Sequence, residues 1–265
     1  MSVFSKSSWK KTEKKDDALN GILRKQLSID YCCTQEDVES PSNVFTLYEP
    51  LEGRRRYRND LVRPLSICAV NGKLMFTGDG ELIEWCREKY ADTGSEWFFE
   101  FKNLKELETQ LNEKGYRIKM AHPFFISDEL SFLPDDGMQI MIFHLEEIEK
   151  FRGDERWDEA YVFAEEAPDV IGAAAVVSGE IVGMAGASAD SPTMRQIGIN
   201  VLPEFRGRGI AERLVTVLKN LVLQDGYLPF YGTSFSHLAS QRVALAAGFR
   251  SAWVELSAEK ISQEE

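Results

Sequence analysis

Residues 201–214 read VLPEFRGRGIAERL, and the chemistry of this stretch lies in its backbone as much as in its side chains. Gly207 and Gly209 reach backbone angles closed to other residues, and no side chain screens their amides. Successive N–H groups then converge at the positive end of the helix that the apolar spacing predicts from Gly209 onward. Arg206 and Arg208 add charge-assisted donors. Together these residues suit a pyrophosphate; the alternative is an ordinary strand-to-helix turn. Two better-known phosphate motifs fit poorly. A P-loop has Lys-Ser/Thr after its second glycine, where Ile210-Ala211 stands, and a dinucleotide fingerprint has Gly or Ala where Glu212 stands.

The elements that must position this stretch follow from pattern. Residues 16–28 have apolar side chains at helical spacing, and 40–50 read as a loop with a short strand. Asn71-Gly72 and Ser178-Gly179, each between apolar runs, predict hairpins. GELIEWCREKYADTG reads as a helix, EWFFEF as a strand, and NLKELETQLNEKGY as a helix capped by Asn103 and ended by Gly115. RIKMAHPFFIS reads as a strand whose end Pro123 sets, with His122 as a turn residue. Periodicity is lost over 127–138, which places a domain boundary there and divides the chain into 1–134 and 135–265. After it come a strand turning into a helix, the second hairpin, a strand halted by Pro203, a helix ending at Gly226, a strand, a helix closed by Gly248 and a last strand.

Composition narrows the function. The net charge of -12 argues against nucleic acid as a partner. Residues 137–265 carry 11 basic and 19 acidic side chains, so Arg206 and Arg208 are a local positive feature rather than part of a basic face. The island GRRRYRND (53–60) reads either as a solvated loop or as a contact for an anion or partner. Cys32, Cys33, Cys68 and Cys86 lack metal-site spacing, so no metal is expected, and they suggest reduced thiols. No apolar run is long enough for a membrane span and the start lacks a signal-peptide core, so a cytoplasmic protein without a membrane partner is expected.

INVLPEFRGRGIAERLV resembles the acyl-CoA-binding motif of the GNAT N-acetyltransferase superfamily, whose Arg/Gln-x-x-Gly-x-Gly/Ala pattern is met by Arg206, Gly209 and Ala211. The likeness runs from the hairpin at 173–187 through the AAGF at 246–249, and the layout resembles a two-domain bacterial branch. It implies an α/β (α+β) chain. Residues 135–265 would form a GNAT fold with a mixed, mostly antiparallel central sheet flanked by helices, after an N-terminal α/β domain that shapes substrate access. It also implies acetyl-CoA as co-substrate and acetyl transfer to a primary amine, on a small molecule or a peptide, by direct attack; a homodimer is compatible with this. Backbone groups of Asn200, Val201 and Leu202 would pair with the pantetheine arm, between a strand at 195–203 and one splaying from it at 227–234. Arg206, Gly207, Arg208, Gly209, Ile210 and Ala211 would wrap the pyrophosphate.

The catalytic positions depart from that pattern. The family's carboxylate base aligns with Gln196, which takes no proton at neutral pH, and its thiolate-protonating Tyr aligns with Ala244. The Asn that often opens the helix is His237 here. His237 is therefore either a replacement acid or base or a helix-start residue with a satisfied ring. Ser240 and Tyr231 are proton-donor candidates. Asp190 reads as an ammonium contact or a turn aspartate, and Trp157 and Trp253 as core. A second expectation follows, of an acyl-CoA-binding or interaction protein that has lost catalysis.

Overall fold

The computed structural model describes residues 20–58, 63–132, 134 and 137–261. In chain order, α1 (Gly21–Asp30), α2 (Gln35–Glu39) and β1 (Val44–Leu47) precede the hairpin of β2 (Leu65–Val70) and β3 (Lys73–Gly78). Then come α3 (Gly80–Tyr90), α4 (Phe101–Glu113), β4 (Tyr116–Ile126), β5 (Gln139–His144) and α5 (Leu145–Ile148). A second hairpin, β6 (Asp169–Val177) and β7 (Glu180–Ser188), is followed by β8 (Met194–Val201) and α6 (Ile210–Gln224). Last come β9 (Leu228–Gly232), α7 (Leu238–Ala246) and β10 (Arg250–Lys260). Both expected hairpins form. Asn71 and Gly72 sit at φ 48° and 80°, Ser178 and Gly179 at 52° and 86°, the paired positive angles that match strand twist.

All ten strands share one sheet, in the order β1-β3-β2-β10-β4-β9-β8-β7-β6-β5. Only β1/β3 and β8/β9 run parallel, so the sheet is mixed and mostly antiparallel. Segments from both sides of residue 134 contribute, because β10 lies between β2 and β4. On one face α6 packs Ile210, Leu214, Val215 and Leu218 against Ala173, Ala185 and Ile197. The other face holds Leu23 and Leu27 of α1 against Phe124, Phe230 and Trp253. Trp157 and Trp253 are buried as expected.

Several local expectations are corrected. EWFFEF is not a strand: residues 96–99 form turns, with the Asn103 amide donating to the Trp97 and Phe98 carbonyls. Asn103 thus closes the turns rather than capping α4, which begins after Glu100. Phe98 is buried, edge-on to Phe76 and Tyr90, whereas Trp97 and Phe101 face solvent. Pro123 does not end its strand. β4 runs through it to Ile126, and Pro123 stands just where pairing to β9 begins at Phe124, with its carbonyl accepting from the Thr233 N–H. His122 is accordingly a strand residue, not a turn residue. The first helix begins at Gly21; residues 16–19 lie outside the described ones.

A row of glycines shapes the sheet beside the site. Gly172, Gly186 and Gly198 are register partners across β6, β7 and β8. The segment 159–161 lies directly on them. A Cβ at Gly186 would come within 2.7 Å of the Tyr161 ring, and one at Gly198 would overlap the Glu159 carbonyl oxygen. None of the three has a positive φ, so space, not backbone freedom, requires glycine here. The Asn200 side chain fixes the same segment, its Oδ1 accepting from the Glu159 and Ala160 N–H groups at 3.0 and 2.7 Å. Gly198→Ala should therefore cost about 1–3 kcal/mol, the range for overpacking. Urea unfolding of the variant checks this, and unchanged stability would mean that the segment moves away freely.

Candidate functional site

The site begins with two strands that part. β8 and β9 pair only over Met194–Gln196 with Leu228–Phe230, and β9 meets β4 only over Gly232–Phe230 with Phe124–Ile126. Beyond these short ladders β8 continues beside β7 alone and β4 beside β10 alone. The opening is a cleft of about 1400 Å³ that reaches both faces of the sheet. The Leu202 N–H donates to the Val182 carbonyl at 3.0 Å, so by strand alternation Asn200 and Gly198 also address β7. The N–H and C=O groups of Ile199 and the N–H of Val201 are left to the opening. Of the three backbone positions expected there, Val201 presents its N–H to the cleft, while those of Asn200 and Leu202 turn to β7.

At the cleft mouth Gly207 and Gly209 have φ of 74° and 77°, and a side chain on either would meet open space. Gly209 is the N-cap of α6 and no side chain caps the helix, so its first-turn amides stay available to a ligand. Arg206, Gly207, Gly209, Ile210 and Ala211 line the cleft. Arg206 bridges turn and strand, its Nε donating to the Val201 carbonyl at 3.0 Å. Arg208 instead donates to the Glu204 carbonyl and lies over the Phe205 ring. Free strand edge, uncapped helix start and open glycines suit the pantetheine and pyrophosphate of a CoA thioester.

The candidate proton-transfer groups gather on the α6–α7 face. The Tyr231 and Ser240 hydroxyls are 2.8 Å apart, Tyr231 buried and Ser240 half-buried at the cleft wall. Burial raises the Tyr231 pKa above its ordinary value, so the phenol stays protonated at neutral pH. His237 is exposed on the same wall at the N-cap of α7, and its ring makes no capping hydrogen bond. Ala244 is wholly buried and supplies no proton.

The opposite face is built by residues whose roles the sequence concealed. The basic island is not a solvated loop. Arg54 and Arg55 are buried, and Arg55 joins Asp30 and Glu255 at 2.5 Å each. Asp30 sits at the C-terminal end of α1, where the helix dipole disfavours a carboxylate. Gln26, the Arg55 N–H and the Arg55 guanidinium offset that cost by donating to it. Burial opposes the charge of Arg55, yet the Glu255 and Asp30 carboxylates hold its pKa well above the usual guanidinium range. Arg56 donates to the carboxylate of Asp190 at 2.7 Å, and Asp190 also accepts from Ser188. Asp190 is thus a buried ion-pair partner at the cleft wall, not merely a turn residue. Gln196, His122 and Glu159 line the same side. The island's last two residues, Asn59 and Asp60, lie outside the described ones.

Among the described residues no His, Cys, Asp and Glu group is arranged to hold a metal, and no helix is long and apolar enough to cross a membrane. Residues 138–249 match the Acetyltransferase (GNAT) family. No curated protein matches the chain. Among solved structures, a putative GNAT acetyltransferase from Novosphingobium aromaticivorans is 21% identical at a TM-score of 0.40, covering 54% of this chain. This chain spans 66% of that structure's length. A GNAT-family acetyltransferase from Colwellia psychrerythraea is 17% identical at a TM-score of 0.42, with 77% of this chain and 84% of that one covered. The aminoglycoside N-acetyltransferase AAC(6')-Iy in complex with CoA is 28% identical at a TM-score of 0.32, over 43% of this chain and 92% of its own.

Removing the central cation of the buried trio leaves two carboxylates without their counter-charge. Arg55→Met should lower stability by about 3–5 kcal/mol at neutral pH. Buried carboxylates without a counter-charge destabilise the fold only while they are ionised, so the penalty fades as pH falls. Urea unfolding of both proteins from neutral to acid pH should show the gap narrowing. A gap that stays constant would assign the loss to packing.

Proposed function

Because residues 138–249 match the acetyltransferase (GNAT) family, we propose that the protein transfers an acetyl group from acetyl-CoA to a primary amine by direct attack in a ternary complex. The observation that carries this reading is the parting of β8 from β9 with the Gly207–Gly209 turn at its mouth. The free edge of β8 would hold the pantetheine arm, and the Val201 N–H would polarise the thioester carbonyl. Residues 206–211 would take the pyrophosphate, through the amides of the α6 start and Arg206. The amine would enter from the face lined by Arg56, His122 and Glu159, so that residues 1–134 shape its access.

The proton steps follow from which groups titrate. The free amine nitrogen bonds to the carbonyl carbon, the C–S bond breaks, the nitrogen gives its surplus proton to solvent, and a proton must reach the leaving sulfur. Tyr231, kept protonated by burial and hydrogen-bonded to Ser240, is the donor this reading favours, with His237 as a second acid–base group on the same wall. Gln196 accepts no proton, so the amine loses its own to water before attack. Rates should then climb with pH until the free amine predominates.

Gln196 and Ala244 also favour a second reading, a CoA-binding protein without catalysis. Calorimetric titration with acetyl-CoA, followed by thiol release with a panel of amines, separates the two. Binding without release for every amine selects the second reading, and absence of binding sinks both. Gly209→Val places a branched side chain at φ 77°, where the phosphates need the bare backbone, so acetyl-CoA affinity should fall at least tenfold. Tyr231→Phe should lower kcat by about 10²- to 10⁴-fold while leaving the acetyl-CoA KM nearly unchanged. The same measurement on His237→Ala tests the histidine; a loss under about tenfold makes it structural.

A further inference from the structure

We infer that the acceptor is an amine that also carries a carboxylate, and that Arg56 is the residue that recognises this second group. The inference rests on the acetyl-transfer reading above and names the class of its substrate.

Arg56 is held by an arrangement that structural need alone does not explain. It sits at φ 49°, a left-handed angle unfavourable for a residue with a long side chain. Two hydrogen bonds to one residue keep it there: its N–H donates to the Asp190 carbonyl and its Nε to the Asp190 carboxylate, both at 2.7 Å. Asp190, only 2% exposed, is in turn fixed by the Ser188 hydroxyl at 2.6 Å. This brace uses the Nε edge of the guanidinium. A guanidinium has five N–H donors in a planar fork, and the outer pair matches a carboxylate. Arg56 lines the cleft with its side chain 35% exposed, and its Nη2 also donates to the Gln196 Oε1, at a long 3.4 Å.

The residue at 196 sharpens the point. A carboxylate there would give Arg56 a second anion and leave it little attraction for a ligand. The neutral amide at Gln196 lets one guanidinium face one aspartate and stay open to an incoming anion. The surroundings agree in sign. Arg58 and Arg63 line the cleft from the same loop region as Arg56, whereas Glu159 stands on it from the segment that crosses the glycine row and Glu166 from the loop that follows. Asp190 and Glu255 stand on the same side but are already engaged by Arg56 and Arg55. A zwitterion matches this side of the cleft, its amine toward the glutamates and its carboxylate toward Arg56. The apolar lining from Phe124, Phe230 and Val162 favours apolar side chains.

The test compares L-amino acids such as phenylalanine, leucine and methionine with their carboxamides, at saturating acetyl-CoA. The acids should exceed the amides by about 10- to 100-fold in kcat/KM once rates are referred to the free-amine fraction, the scale of a charge-assisted pair. Arg56→Asn, a residue that tolerates left-handed angles, should abolish the preference. Because it leaves Asp190 buried and unpaired, the double variant Arg56→Asn/Asp190→Asn is measured alongside. The acid-to-amide ratio is read within each protein, so a general loss of activity cancels. Equal rates for acids and amides in the parent, or a preference that persists in both variants, overturns the inference. Should no amine be acetylated, the acetyl-transfer reading fails separately, and calorimetry on the CoA-loaded protein decides. Acids bound more tightly than amides only when Arg56 is present sustain the inference, and no such difference ends it.

Discussion

A parallel strand pair that stops after three residues leaves a strand edge with nothing to bond to, and the rest of this molecule is arranged around that edge. Buried N–H and C=O groups are costly without partners. Beyond Ile197 the groups of β8 that turn away from β7 face a cleft instead of β9. The sheet survives the gap because β9 is tied at its base to β4 as well as β8, and because α6 clamps β6, β7 and β8 from one side. The opening is thus held apart by well-packed neighbours, not by a loose strand.

The two walls of the opening use different physics. The α6–α7 side of the cleft rests on backbone: bare glycines at positive φ, an uncapped helix start and a strand edge. On the other side it rests on buried charge. Asp30, Arg55 and Glu255 link α1, the basic loop and β10, and such a cluster specifies one position for the loop at considerable desolvation cost. Arg56 follows Arg55 directly, so the trio also sets where its guanidinium stands.

How much of this the sequence disclosed depended on whether the signal was local. The Asn71-Gly72 and Ser178-Gly179 turns, the Gly207–Gly209 turn and the stripe of α6 carry their reasons within a few residues, and each forms as read. EWFFEF misled because aromatic residues favour strands, whereas burial of Phe98 against Phe76 and Tyr90 and the Asn103 amide decide for turns. Pro123 misled because its tolerance depends on which side of the strand is unpaired, a fact about β9. The arginines at 54–56 looked solvated because their partners, Asp30, Asp190 and Glu255, are distant in sequence. Gly172, Gly186 and Gly198 lie on separate strands, and only the register shows that they form one row.

The position of β10 has a consequence for how the chain acquires its structure. β1, β2 and β3 connect to the remaining strands only through β10, where Val254 meets Ala69 and Pro123. Contacts of such long sequence separation form late, since loop closure precedes any gain from them. On the ribosome, residues 65–78 can close their hairpin early but must wait with one edge bare until residues 250–260 have emerged. That waiting edge, lined by Leu65, Ile67 and Val70, is where strand pairing between nascent copies would begin, which makes the interval before β10 docks the hazardous stage of its synthesis.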